Sequence, residues 1–397
     1  EKYTLSWQES HLSMRHSLFL MILLLSLSCT SRSQAKRDSI IDTLSDSLSA
    51  TDSISPTDTL RLLFVGDLMQ HQGQINAART STGYDYSTCF TYVKEEIGRA
   101  DLAIANLEVT LGGKPYKGYP AFSAPDEFLT AIHDAGFNVL VTANNHSLDR
   151  GKSGLERTIQ LIDSLKIPHA GTYINTEERD KKYPLLLEKN GFRIALLNYT
   201  YGTNGIPVTP PNIVNYIDTT VIAKDIEESK AVKPDAIIAC MHWGIEYQSL
   251  PDKEQKFLTD WLLRKGVNHI IGCHPHVVQP IEVREDSLTN GKHLVVYSLG
   301  NYISNMSARR TDGGLMVKME LVKDSTTRLN HCEYSLVWTA RPAQSGKKNH
   351  QLLPINFPTD SISVNARNSL RIFANDARSL FSKHNRGIKE YLFYKKK

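Results

Sequence analysis

Six short apolar runs, each ending in a polar cluster, set the strongest limit on what this chain can fold into: RLLFVGD (61–67), DLAIANLE (101–108), FNVLVTANNH (137–146), RIALLNYT (193–200), DAIIACMHWG (235–244) and VNHIIGCHPH (267–276). Between them lie segments with helical periodicity, PDEFLTAIHDAG (125–136), GLERTIQLIDSLK (154–166) and KEQKFLTDWLLRKG (253–266), each closed by or near a glycine. A strand that is apolar at consecutive positions needs cover on both faces, and intervening helices supply it, so the pattern predicts an α/β fold. Ligands of such folds gather beyond the carboxyl ends of the strands, where the polar clusters lie. Farther on, KHLVVYSLGNYI (292–303), GGLMVKMELV (314–323) and HCEYSLVWTARP (331–342) have no helix between them and read as antiparallel strands. A C-terminal extension, 343–397, holds one helical pattern (363–382) and a basic tail.

The N-terminal region has a different character. From Met14 to Cys29 a basic pair, an apolar stretch and then small residues before a cysteine form the layout of a bacterial export signal, too short for a comfortable membrane span. Residues 1–29 are read as that signal, with Cys29 the lipidated first residue of the mature chain; cleavage without lipidation and retention as an anchor stay open, because Ser26 stands where such signals prefer leucine. Residues 30–59, dominated by Ser, Thr and Asp, are too poor in apolar side chains to offset the entropy of ordering and are expected to be a disordered tether. A net charge of +4 without a dense basic stripe does not argue for nucleic acid, and no nucleic-acid partner is expected. Cys89, Cys240, Cys273 and Cys332 show no Cys-x-x-Cys spacing and are expected as buried thiols.

The chemistry concentrates at the strand ends. His274 and His276 alternate in GCHPH, and in an extended segment alternate side chains point the same way, toward one candidate metal ion. Asp67, Asn106, Glu108, Asn144, Asn145, His146, His242 and Asn301 end the other runs. Carboxylates, an amide and imidazoles from separate strands are the ligand mixture of paired divalent metals bridged by one carboxylate.

Through GDLM, NLE, TANNHSLDRG, HWGIEY, GCHPHVVQ and SLGNYI, in order over residues 61 to 305, the sequence resembles the CapA family of poly-γ-glutamate capsule synthesis proteins, which are similar in fold to the calcineurin-like metallophosphoesterases. The resemblance implies a four-layer α/β/β/α sandwich over residues 60–342. It also implies that Asp67 and His276 serve a first metal, that Asn145, His242 and His274 serve a second, and that Glu108 bridges them. His146 is then the catalytic acid, with Asn106, Asn144, Asp149, Glu246, Tyr247 and Asn301 binding substrate or orienting the ligands. Met69 stands where the phosphoesterases place a histidine, so the first metal lacks a ligand; His71 is a candidate substitute if the loop curls.

These readings lead to an exported, membrane-anchored lipoprotein of the bacterial cell envelope that takes part in the synthesis, handling or export of a surface polymer, by metal-dependent hydrolysis if it catalyses at all. An exported metallophosphoesterase and a non-catalytic polymer-binding module are the alternatives. The implied cofactor is one or two divalent ions (Mn, Fe, Zn or Mg), and the implied partners are an anionic polymer or phosphoester and subunits of a membrane complex. No Gly-x-x-x-x-Gly-Lys-Ser/Thr loop is present to cradle a nucleotide, which argues against ATP-driven ligation.

Overall fold

Alternate side chains of β1 (Asp58–Leu68) enter two different cores. Leu60, Leu62 and Phe64 pack with Ile194, Leu196, Ile238 and Cys240, whereas Leu63 and Val65 pack with Phe128, Ile132 and Ile162 on the opposite side. Both faces of the strand are thus covered, which is why the run is continuously apolar. The computed structural model describes residues 58–286 and 291–395. The expected export signal, Cys29 and the expected tether as far as residue 57 lie outside the described residues; β1 already begins at Asp58.

Two sheets stack face to face. The first runs β16 (Gln351–Pro354), β15 (Thr327–Ala340), β14 (Gly313–Lys323), β1, β2 (Leu102–Leu107), β3 (Val139–Val141) and β4 (His169–Ala170), with β13 (Asn301–Ile303) also paired to β1 and β17 (Lys389–Glu390) to β15. The second runs β11 (Ile281–Asp286), β12 (Gly291–Val296), β10 (His269–Cys273), β9 (Ala236–His242), β7 (Phe192–Thr200) and β6 (Leu185–Lys189). A small ribbon pairs β5 (Thr172–Tyr173) with β8 (Ile213–Val214). Outside the first sheet lie the helices Asp126–Asp134 and Gly151–Ser164. Outside the second, Ile222 and Ile226 of Thr219–Ala231 and Leu258 and Leu262 of Lys253–Lys265 cover Ile237, Ala239 and Met241. The four-layer α/β/β/α sandwich is therefore present.

Helix ends follow the glycine punctuation: Gly266, at φ 102°, closes Lys253–Lys265 with its N–H bonded to the carbonyls of the last turn. The C-terminal part belongs to the same core. Val364–His384 is a 21-residue helix whose Leu370, Phe373, Ala377 and Phe381 enter the layer between the sheets beside Tyr334, Leu336 and Trp338. Among the described residues no helix is long and apolar enough to cross a membrane. Cys89, Cys240 and Cys273 are buried free thiols, and Cys332, also free, is only partly buried.

One expectation needs correction. Residues 292–303 are not one antiparallel strand: β12 sits in the second sheet, parallel to β10 and antiparallel to β11, and β13 sits in the first, parallel to β1. The chain crosses between sheets through Tyr297–Gly300, with Gly300 in the left-handed region at φ 67°. That crossover delivers Asn301 beside Asp67, its register partner.

At the same point β1 carries a bulge. Val65 pairs with Ala105 but Asp67 pairs with Asn106, leaving Gly66 as an extra residue. Strand side chains alternate, so without the extra residue Asp67 would point toward the helices with Leu63 and Val65. The bulge turns it instead to the side of Leu62 and Phe64, facing the second sheet. Glycine is required there, because a Cβ on Gly66 would lie 1.8 Å from the Gly300 carbonyl oxygen. Gly66→Ala is accordingly expected to lower stability by about 1–3 kcal/mol, as overpacking does. A urea midpoint followed by circular dichroism checks this; an unchanged midpoint would show that the crossover gives way freely.

Candidate metal centre

Strand register gathers the polar ends. Asp67, Asn106 and Val141 are aligned across β1, β2 and β3, and Thr200, His242 and Cys273 across β7, β9 and β10. The carboxyl ends of both sheets thereby meet at one place. Two overlapping groups of buried ligand atoms result, Glu108, His242 and His274 in one and Asp67, Glu108 and His276 in the other, with the atoms of each group within 4.8 Å of one another. Glu108 belongs to both, which is the placement expected of a bridging carboxylate.

The histidines of GCHPH reach this point by a different route from the one their spacing suggests. β10 ends at Cys273, and His274 and His276 follow it at φ 102° and 59°. A left-handed backbone, not extended alternation, turns their rings to 5.9 Å from each other. Residues held this way store strain that surrounding contacts must offset, a recurrent feature of functional sites.

The other expected residues are assembled around these five. Asn106 Nδ2 lies 2.8 Å from Asp67 Oδ1, 3.4 Å from Glu108 Oε2 and 3.3 Å from His242 Nδ1. Asn144 donates to Asn106 Oδ1 and to the Leu107 carbonyl, and its own oxygen accepts the His146 N–H. Asn145 Oδ1 lies 2.9 Å from His242 Nε2. Asn301 donates to the Thr311 carbonyl, which leaves its oxygen 3.0 Å from His276 Nδ1. His146 Nδ1 sits 2.7 Å from Asp149 Oδ2, which also accepts the Phe122 N–H. Glu246, exposed, stands 3.9 Å from His276 Nε2, and the exposed Tyr247 ring centres 6.1 Å from that imidazole.

Met69 is buried in the helix-side core and joins neither ligand group. His71 does not replace it either. It starts the helix Gln72–Ala78, its Nδ1 accepts the Asn305 N–H, and its ring packs 5.2 Å from Phe122. Two contributors were not anticipated. Tyr201 tilts over His274 at 4.5 Å, and Phe122 meets His146 edge-on at 4.6 Å. The tyrosine directly follows the strand 193–200, so its position at a strand end was a usable signal; Phe122 lies in an irregular loop and had none.

Charge at the centre is unbalanced. Burial raises the Asp67 carboxyl, but His276, His242 and the Asn106 amide overcome it and hold the group below the ordinary carboxylate range. Burial and then the negative charge of Asp67 push Glu108 well above its ordinary value. Burial also depresses His242 and brings His274 down to about 3, keeping both imidazoles neutral, the form that ligates metal. His276 is desolvated too, yet Asp67, Glu246 and Asn301 raise it.

The residues fit a divalent cation. Asp67 Oδ2, Glu108 Oε1 and His274 Nδ1 are buried and without hydrogen-bond partners among the described residues. A buried polar atom left unpaired costs about 1–3 kcal/mol, more when charged, so three together in one ligand cluster are the mark of a missing positive partner. Oxygen and imidazole donors without a thiolate suit Mn, Fe, Zn or Mg.

The family model described as bacterial capsule synthesis protein PGA_cap matches residues 61–306. The capsule biosynthesis protein CapA of Bacillus anthracis is 27% identical over 298 residues, 70% of this chain and 69% of that protein. The PGA biosynthesis protein CapA of Bacillus subtilis (strain 168) is 29% identical over 280 residues, 68% of this chain and 70% of that protein. Among solved structures, the calcineurin-like phosphoesterase YfkN of Bacillus subtilis is similar over 82% of this chain and 99% of its own, at 14% identity and a TM-score of 0.44. The NAD nucleotidase NadN of Haemophilus influenzae is similar over 85% and 65%, at 12% identity and a TM-score of 0.46.

Because Glu108 belongs to both ligand groups, Glu108→Gln is expected to weaken divalent binding by more than the ~10- to 100-fold that changes around a ligand produce. Thermal stability in chelator should not fall, since the amide replaces a buried carboxyl whose Oε1 has no hydrogen-bond partner among the described residues. Elemental analysis beside a melting curve reads both; metal content equal to the parent would contradict the assignment.

Proposed function

The chain belongs to the family of bacterial capsule synthesis proteins, PGA_cap, and from that membership we propose that it is a CapA-type cell-envelope protein that hydrolyses a bond in a surface polymer, or in its carrier, at the buried centre. The observation that carries this reading is the set of orphaned ligand atoms on Asp67, Glu108 and His274 beside the His146–Asp149 pair. Export and attachment through a lipidated Cys29 would place that activity on a polymer outside the cytoplasm, with an anionic chain such as poly-γ-glutamate as substrate and membrane subunits as partners.

Asp67, Glu108, His242, His274 and His276, with Asn145 beside them, would hold the ion or ions. A divalent cation there supplies positive charge to a phosphoryl or acyl oxygen and lowers the pKa of water. The protein's own groups do the rest. Asp149 accepts from His146 Nδ1 and fixes the ring, so Nε2 is the atom that takes or gives a proton. Phe122 and the exposed Tyr119, whose rings centre 4.6 and 6.5 Å from the His146 ring, limit the water around it. Burial pushes the Tyr201 phenol up to about 12, so it remains a hydrogen-bond donor at the mouth of the site.

A second reading, retention of the polymer without hydrolysis, is favoured by one observation: the position of Met69 in the helix-side core leaves the Asp67 group without a further imidazole.

Metal-loaded protein offered phosphoesters and γ-glutamyl peptides is expected to turn over one class, and His146→Ala to lower kcat by about 10²- to 10⁴-fold with metal content unchanged. Equal turnover in His146→Ala would contradict the mechanism. Binding of polymer with no turnover of either class would select the second reading.

A further inference from the structure

The two loops that wall the metal centre also wall a second cavity, a cleft of ≈ 210 Å³. Ser249 and Val278 line it, each two residues beyond a group at the centre, Tyr247 and His276 respectively. Two residues span at most about 7 Å, so this wall of the cleft stands within about 7 Å of Tyr247 and His276 along the chain. Its floor is apolar, formed by Phe373, Ala377 and Leu380 of the helix Val364–His384, and its rim carries Arg310, Lys383 and His384. This helix lies beyond the segment matched by the family model, which stops at residue 306.

The rim charge is biased toward cations. Its one carboxylate, Asp376, is engaged by Arg309 at 2.7 and 2.8 Å and by Arg310 at 3.5 Å. Lys383 and His384 have no acidic partner within 4 Å among the described residues. Arg310 is held in place: Nη1 donates to Ser249 Oγ at 3.3 Å, and Nη2 has no acceptor among the described residues. Its backbone sits at φ 75°, as Tyr247, His274 and His276 sit at 66°, 102° and 59°. A side-chain-bearing residue pays about 1–2 kcal/mol for that conformation, and here four such residues wall the centre and the cleft beside it. A guanidinium and an ammonium over an apolar floor suit the anionic head and aliphatic stem of an acidic group.

We propose that this cleft is a binding subsite for the anionic groups, carboxylate or phosphate, of an extended ligand whose reacting end lies at the metal centre. The proposal deepens the reading of the centre as the place where such a ligand is processed and rests on it for that end alone. An extended anionic ligand engaged at both places would bind more tightly than either contact permits, since the second contact becomes intramolecular.

Fluorescence anisotropy of labelled γ-linked hexaglutamate with the manganese-loaded full chain tests it, with inorganic tripolyphosphate as competitor and hexaglutamine as the uncharged probe. Lys383→Ala is expected to weaken hexaglutamate about 3- to 5-fold, as loss of one exposed charge contact does, and Lys383→Glu about 10-fold or more. The exposed Lys265, on the helix Lys253–Lys265, serves as control, and Lys265→Ala should leave binding unchanged. Lys383 is exposed, so both variants should fold; melting curves verify this. If only tripolyphosphate binds, and does so through Lys383, the subsite stands as a phosphate site. Equal affinity in Lys383→Glu and parent, equal loss in Lys265→Ala, or equal binding of hexaglutamine would overturn the proposal. Dependence on Lys383 with no effect of Glu108→Gln would uphold the cleft as an anion site and sink the reading of the centre as its partner.

Discussion

Two carboxylates buried beside each other with too few hydrogen bonds dictate the rest of this structure. Asp67 and Glu108 are both fully buried, and one amide, Asn106, reaches toward each of them. In a low-dielectric interior two like charges at this range cannot both persist, and their proton affinities diverge, Asp67 falling and Glu108 rising. Three arrangements would relieve the repulsion: a proton on Glu108, the cationic form of His276, or a metal ion. The third alone also satisfies Asp67 Oδ2, Glu108 Oε1 and His274 Nδ1.

Much of the local backbone exists to hold those groups together. The Gly66 bulge turns Asp67 inward, the Tyr297–Gly300 crossover brings Asn301 to His276, and left-handed residues after β10 turn His274 and His276 toward the carboxylates. The left-handed histidines oppose local preference, whereas glycine accommodates the bulge and the crossover, and all three are held by the packing of the four layers around them. Stability is supplied by the sandwich and strain is concentrated at its edge, the distribution expected when a rigid scaffold positions a site.

The layers were legible because burial on both faces leaves a continuous apolar run, as in residues 62–65 and 236–241, and because glycine and helical periodicity mark the helices. The site was legible as a set of strand ends, and register then placed Asp67, Asn106, His242 and Asn301 where a parallel α/β edge must place them. Other features could not be read, for identifiable reasons. A one-residue bulge changes which face a side chain occupies without changing composition, so the inward turn of Asp67 was invisible. The split of residues 292–303 between two sheets depends on tertiary pairing, and the apolar text on either side of Tyr297–Gly300 looks like one strand. His-x-His spacing suggested convergence correctly but by the wrong backbone. Phe122 acts by a ring contact across a loop, which leaves no periodic trace, and the seat of the C-terminal helix between the sheets follows from long-range packing that its amphipathic pattern alone does not specify.

The central claim is that the orphaned atoms of Asp67, Glu108 and His274 are metal ligands. Anomalous diffraction from crystals of the protein grown with manganese tests it most directly. The account expects a peak at coordination distance, about 2.0–2.3 Å, from Glu108 together with His274 or Asp67. A map with no anomalous peak at that point, and with ordered waters or side chains satisfying all three atoms instead, would contradict it.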